Sequence, residues 1–291
     1  MQNTQYVGFS VEMSDPGIAT ITFTTPERLN GTTQRIKREL TMLMQQIQMD
    51  ESVRVVVITG SGRAFCAGDD MTGRPLPLAD SIPPMLPPVA YGHGNPIGTY
   101  EGLRMLSQSL NLAIRNLDKL TIAAINGVAI QTGLSLALCC DFRIAAEEAR
   151  LGSGTLRFGL LPDEGGQWLL VQAMGVPKTM DFLMRNRIVS AQEALALGLV
   201  HEVVPGADLA ARAQALAVEL ANGPQVAMRL LKRAVYNAAE LDFVHALDDI
   251  ATKTAISDHH ADAKDGGASF REKRAARFNA DPSRESRQQP V

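Results

Sequence analysis

Residues 120–141 read LTIAAINGVAIQTGLSLALCCD. Leu120–Ile125 is a short apolar run, the pattern of a strand buried on both faces, and Asn126-Gly127 ends it. Ser135–Cys140 is apolar on every side, which predicts a buried helix starting at or just before Leu134. Asp141–Ala145 predicts another strand. Strand, turn, buried helix, strand within so few residues describes an α/β chain whose short strands must stack on neighbours to be stable. The same order recurs upstream. Residues 6–13 and 17–24 alternate as two strands about the turn Ser14-Asp15-Pro16-Gly17. Residues 33–49 carry Ile36, Leu40, Leu43, Met44 and Ile47 on one helical face, and Val53–Ile58 is a β-branched run that enters the turn Gly60-Ser61-Gly62. Leu103, Leu106, Leu110, Ile114 and Leu117 mark the helix that leads into the opening strand. No fixed sequence period links these units, so the chain is not a simple repeat array.

Downstream the chain becomes helical. Ser190, with Glu193 three residues later, forms a capping box, and Gly198 stops that helix. Helices are expected over 207–221, 224–238, 241–258 and 262–277, the second opened by Pro224. This divides the chain into a core, 1–205, and a helical C-terminal subdomain, 206–291. Between the core units, residues 72–99 hold seven of the 15 prolines. That density excludes helix and sheet interiors and predicts a long loop, either a lid or a variable insertion.

Composition narrows the function. Among 291 residues, 28 Lys and Arg face 31 Asp and Glu, a net charge of −3 that speaks against a broad nucleic-acid surface. Three cysteines make no disulfide framework and fit a reducing compartment, and the first residues lack the basic-then-apolar pattern of a secretory leader. No run approaches the roughly 18 apolar residues of a membrane span. A cytoplasmic protein is the expectation. His93, His201, His245, His259 and His260 show no metal-ligand spacing, and no metal is expected. No Walker or Rossmann loop is present. Ser153 lies in Gly-Ser-Gly, which is no nucleophile elbow, and Cys139-Cys140 reads as core packing.

Three segments can carry chemistry. Gly60–Met71 (GSGRAFCAGDDM) follows a buried strand, and Ala67-Gly68-Asp69 leaves a backbone amide free to face a pocket and hold a developing oxyanion. An ordinary Gly-rich turn has the same pattern. Asn126–Asp141 runs a Gly-containing loop into a helix N-terminus, which gathers amides and the positive end of a helix dipole. Gly152–Gly166 (GSGTLRFGLLPDEGG) sets Asp163 and Glu164 among apolar residues, where a carboxyl group can gain a raised pKa and act as acid or base. Either could instead cap the helix that follows.

In order along the chain, FCAGDD, INGVAIQTG, GLLPDEGG and AQEALALGLVHEVV, closing on FREKRAARF, resemble the crotonase superfamily of enoyl-CoA hydratases and isomerases. The resemblance implies a crotonase-like (ClpP/crotonase) α/β fold, a spiral of ββα units with a helical C-terminal trimerisation region. It implies homotrimers or dimers of trimers, an acyl-CoA thioester substrate, and no cofactor apart from the coenzyme A of that substrate. By position, the oxyanion hole would use the amides of Asp69, after Ala67-Gly68, and of Thr132, before Gly133. The family usually has Gly-Gly-Gly where this chain has Gln131-Thr132-Gly133.

Typical hydratases of the superfamily carry two glutamates at the positions of Ser135 and Thr155. Neither replacement titrates near neutral pH, so hydration by two carboxylates is disfavoured. Some isomerases of the superfamily place a carboxylate at the position of Asp163 or of Glu164. A dehalogenating relative has an Asp at the position of Asp163, paired with a Trp at that of Thr155 and a His at that of Gln108, and both partners are absent here. The resemblance therefore favours double-bond isomerisation with Asp163 or Glu164 as base. Hydration or thioester hydrolysis with other residues, decarboxylation, and a non-catalytic acyl-CoA- or RNA-binding scaffold are the alternatives. The cluster Arg271, Lys273, Arg274 and Arg277 motivates the RNA variant. The resemblance also puts Arg28 and Lys273 near the CoA phosphates and Phe270 on the CoA site beside a subunit contact. It sets the proline-rich loop, with Tyr91 and His93, at the border of the acyl pocket.

Overall fold

The computed structural model describes residues 6–72, 76 and 94–280. Among the described residues, ten strands form two sheets. The first holds β1 (Phe9–Ser14), β2 (Ile18–Phe23), β3 (Val55–Gly60), β5 (Leu120–Ile125), β7 (Phe142–Ala146) and β10 (Glu202–Val204), in the order β1-β2-β3-β5-β7-β10. β1 and β2 are an antiparallel hairpin, and every later neighbour pairs in parallel. The second sheet, β4-β6-β8-β9, contains Ala64–Cys66, Val128–Ile130, Arg150–Gly152 and Ile188–Ser190.

Three strands of the first sheet each feed one of the second: β3 into β4, β5 into β6, β7 into β8. A helix follows each pair. These are α2 (Pro96–Gly102) continuing through wider turns at 103–108 into α3 (Ser109–Arg115), then α4 (Thr132–Cys139), then α5 (Gly166–Met184). This is the spiral of ββα units expected from the sequence. Before it, α1 (Gln34–Met49) follows β2 and buries the expected stripe, Ile36, Leu40, Leu43, Met44 and Ile47. α4 is buried at all eight residues, so no face of it reads as polar. Its leucines each contribute on the order of 2 kcal/mol by leaving water.

The later helices are α6 (Ala191–Leu197), α7 (Leu209–Asn222), α8 (Gln225–Ala238), α9 (Phe243–Asp258) and α10 (Ala261–Glu272). Ser190 Oγ accepts the Glu193 amide at 3.2 Å and Gly198 closes α6 at φ 82°, so the expected N-cap and stop are present, while the Glu193 carboxylate, expected to complete a capping box, pairs with Arg187. α7 seals the outer face of the first sheet with Leu209, Ala213, Ala217 and Leu220. α8 is anchored through Lys232 and Tyr236, which donate to Asp141 at 2.8 and 2.6 Å.

Several expectations are corrected. Strands β4, β6, β8 and β9 are three residues each, too short to show a period, and were not anticipated. The first strand begins at Phe9 rather than residue 6, after Gly8 at φ 79°. The last helix ends at Glu272 rather than 277, because Lys273 turns left-handed (φ 56°) and its amide closes on Phe270 and Ser269. The proline-rich loop stops short of residue 99. Pro96 opens α2 at a first-turn position, where its missing N–H costs nothing, and Asn95 Oδ1 caps Gly98 N at 2.9 Å. Tyr91 and His93 lie outside the described residues. Among the described residues, no helix is long and apolar enough to cross a membrane, and no cluster of His, Cys, Asp and Glu has the makings of a metal site.

Candidate active site

The loop after β4 and the loop after β6 meet because their strands are hydrogen-bonded neighbours. The contact is tight at Gly133, where a Cβ would lie 1.9 Å from the Cys66 carbonyl oxygen. Gly68 (φ 104°) turns the first loop, and Gln131 (φ 51°, ψ −110°) turns the second. The residue after each is the one from which an oxyanion-binding amide is expected, Asp69 and Thr132. Thr132 opens α4, where backbone N–H groups have no intrahelical partner. Among the described residues, neither of the two amides has a hydrogen-bond acceptor.

The side chains of the same two residues are joined. Thr132 Oγ1 lies 2.9 Å from Asp69 Oδ1 and 2.5 Å from Glu164 Oε1. From α1, Lys37 Nζ donates to Asp69 Oδ2 at 2.9 Å and to Ser107 Oγ at 2.7 Å, and it stands 2.7 Å from Asp69 Oδ1 and 3.9 Å from Glu164 Oε1. Thr32 Oγ1 donates to Asp69 Oδ1 at 3.1 Å. Gln131 Nε2 donates to Glu164 Oε2 at 3.2 Å and its Oε1 accepts from Ser153 at 3.0 Å.

Proton counting constrains the charge state of this network. A hydroxyl has one hydrogen, so Thr132 cannot donate to both carboxylates. Asp69, bound to the Lys37 ammonium, is the natural acceptor. The short contact to Glu164 is then satisfied if Glu164 is a carboxylic acid donating to Thr132. Burial acts in the same direction and raises the Glu164 pKa, against the lowering influence of Lys37 and of the Thr132 hydrogen bond.

Asp163 has a different environment. It is partly exposed and lines a pocket of about 80 Å³ together with Lys37, Asp69, Ser107, Leu103 and Leu106. Its carbonyl accepts from Gln108 Nε2 at 3.0 Å, and the Glu164 carbonyl accepts from Asn111 Nδ2 at 2.8 Å, so helix α3 and the turns before it fix the 163–164 backbone. Gly165, not either acid, caps α5. Ser135 is buried against Gly166, and Thr155 Oγ1 lies 3.4 Å from Ser153 Oγ.

A family model described as enoyl-CoA hydratase/isomerase matches residues 14–76 and 90–281. The chain belongs to the enoyl-CoA hydratase/isomerase family. It is 31% identical over 274 residues to the 1,2-epoxyphenylacetyl-CoA isomerase of Escherichia coli K12, covering 93% of this chain and 98% of that one. The crystal structure of an enoyl-CoA hydratase from Bacillus anthracis superposes with a TM-score of 0.84 at 30% identity, covering 94% of this chain and all of the other. An enoyl-CoA hydratase from Mycobacterium smegmatis gives a TM-score of 0.82 at 27% identity, covering 94% and 99%. This enoyl-CoA hydratase/isomerase family member thus has the crotonase-like fold.

Within this family member, the structure brings Ala67, Gly68, Asp69, Thr132, Gly133, Asp163 and Glu164 into one place. The remaining expected residues sit elsewhere. Arg28 Nη1 is bonded to Asp70 Oδ2 at 2.8 Å, which ties it to the same loop and commits part of its guanidinium. Phe270 is 86% exposed on α10, and Lys273 is exposed just past its end; neither lines the pocket. The cysteines are buried, and burial pushes the Cys66 thiol up to about 12, so none is a nucleophile.

Sequence reasoning missed Lys37, Ser107 and Thr32. Lys37 is 3% exposed although it is charged. Its spacing from Leu40 and Met44, three and seven residues on, places it on the apolar stripe of α1 and could have flagged it.

Proposed function

We propose that this family member isomerises the double bond of an enoyl-CoA thioester, with the Asp69 and Thr132 amides as the oxyanion hole and Asp163 as the base. One observation carries the reading. Asp163 lines the pocket beside Asp69, while the Asp69 carboxylate is bonded to Lys37 and Thr132 and the Glu164 carboxyl is buried on Thr132. Asp69 is spent on Lys37, Thr32 and Thr132. Glu164 is buried and best satisfied when protonated. The positions where two glutamates would orient and protonate water are Ser135 and Thr155, which leaves hydration without its acid and base.

In the proposed step, Asp163 removes the α-proton of a 3-enoyl thioester. The C–H electron pair moves toward the thioester carbonyl and gives a dienolate whose oxygen accepts from the two amides. Asp163 returns the proton to the γ carbon, and the product is the 2-enoyl thioester. One carboxylate serves both transfers, and no further reactant is needed.

The test is conversion of 3-enoyl-CoA, followed by the absorbance of the conjugated product and by α-proton exchange in deuterium oxide. D163N should lose both signals by about 10²-fold or more, the order of a general-base contribution, while E164Q keeps them. Full activity in D163N would reject Asp163 as the base. A wild-type protein that hydrates 2-enoyl-CoA and leaves 3-enoyl-CoA untouched would reject the isomerase reading.

A further inference from the structure

Each amide assigned to the oxyanion hole follows a residue at positive φ, Gly68 at 104° and Gln131 at 51°. For Gly68 that conformation is easy. For Gln131, with a side chain, it is strained and persists only where its surroundings over-determine it. The surroundings do so here. Ser153 and Glu164 hold the two ends of the Gln131 amide at 3.0 and 3.2 Å. Glu164 passes the constraint to Thr132, and Thr132 passes it to Asp69 at 2.9 Å. Asp69 is then tied to Lys37, which is 3% exposed and anchored on α1. One chain of side-chain bonds therefore joins the two loops through the same residues whose amides are assigned to the oxyanion hole.

We propose, resting on the oxyanion-hole reading above, that the Thr132–Asp69 side-chain bond, backed by Lys37, is a positioning device that sets the spacing of the two oxyanion amides. Thr132 and Asp69 act twice, by backbone on the thioester oxygen and by side chain on each other. Lys37 is a positioning residue: it fixes the carboxylate that fixes the loop. Hydrogen-bond donors to a developing oxyanion must be within a few tenths of an ångström of their working place, and misplacement by about 1 Å costs on the order of 10²-fold in rate. The bond should therefore act on turnover far more than on substrate affinity.

The test reads carbonyl polarisation directly. A CoA thioester of 4-dimethylaminocinnamic acid is a push–pull chromophore whose absorption moves to longer wavelength when its carbonyl oxygen accepts strong hydrogen bonds. The variants are T132V, which removes the hydroxyl and keeps the amide, T132S, which restores the hydroxyl, D69A, which removes the acceptor, and the T132V/D69A double. Wild type and T132S should show the red shift. T132V and D69A should lose most of it with a dissociation constant within about threefold of wild type, and kcat on 3-enoyl-CoA should fall roughly 10- to 100-fold. The shift in the double variant should be no smaller than in the poorer single one, because both remove the same bond. E164Q, which can still donate to Thr132, should keep the shift. A red shift in wild type that survives unchanged in T132V and D69A overturns the positioning role and leaves the oxyanion hole standing. No red shift in wild type overturns the oxyanion-hole reading itself. Should D69A fail to fold by circular dichroism, T132V alone carries the same two readings.

Discussion

Truncating the two partners of the Lys37–Asp69 ion pair should cost very different amounts. The Lys37 side chain is 4% exposed and that of Asp69 is 48% exposed. In K37M, a side chain of similar volume refills the site, and Asp69 keeps water and the Thr32 and Thr132 hydroxyls at 3.1 and 2.9 Å. That loss is on the order of 1.5–3 kcal/mol, the range for a hydrogen bond to a charged group. In D69A, the ammonium stays buried with only Ser107 Oγ at 2.7 Å, and its nearest carboxylate is Glu164 at 3.9 Å. A buried charge stripped of its partner costs about 3–5 kcal/mol. The difference, roughly 2 kcal/mol, is about a 30-fold change in the folding equilibrium. Adding K37M to D69A removes the orphaned charge, so the double variant should be more stable than D69A alone. Urea denaturation at pH 7 followed by far-ultraviolet circular dichroism measures all four proteins, with the midpoint compared at fixed protein concentration. If K37M proves as costly as D69A, or the double variant is less stable than either single one, the asymmetry of burial is not what governs this pair.

Two further outcomes follow from the same geometry. Burial raises the Glu164 carboxyl above its ordinary value of 4.5, so the folded chain keeps a proton that the unfolded chain releases. Folding stability should then fall as pH rises from about that value toward the folded pKa, at up to about 1.4 kcal/mol per unit. E164Q mimics the neutral acid and should match wild type near pH 4 and exceed it at pH 8; parallel melting-temperature curves across that range would contradict a neutral Glu164. G133A places a Cβ 1.9 Å from the Cys66 carbonyl oxygen, backbone that cannot step aside without parting the two loops. Its expected cost is about 3 kcal/mol or more, visible as a lowered thermal midpoint, and a wild-type midpoint would show that the loops are not pressed together as described.

The sequence by itself determined the architecture and named the segments that come together at the candidate site. Period and turn residues were enough for β5 and α1, whose expected limits agree with the structure to within a residue, and for the N-cap at Ser190. Those signals are local, because a buried strand or an amphipathic helix carries its pattern within its own residues. The motifs in FCAGDD, INGVAIQTG and GLLPDEGG pointed to one site for a similar reason: tight turns and unpartnered amides need particular residue types at particular places. Only the tertiary structure decided the second sheet, since three-residue strands have no period and exist by pairing with neighbours far along the chain. It alone separated Asp163 from Glu164. Adjacent acids in a turn are equivalent on paper, and what divides them is that Asp163 lines the pocket while the Glu164 side chain meets Thr132 and Gln131. Lys37 belongs to the tertiary structure for the same reason. A lysine is taken as solvated until a carboxylate 32 residues away in sequence comes within 2.9 Å of its ammonium, and that approach is a property of how α1 packs on the loop after β4.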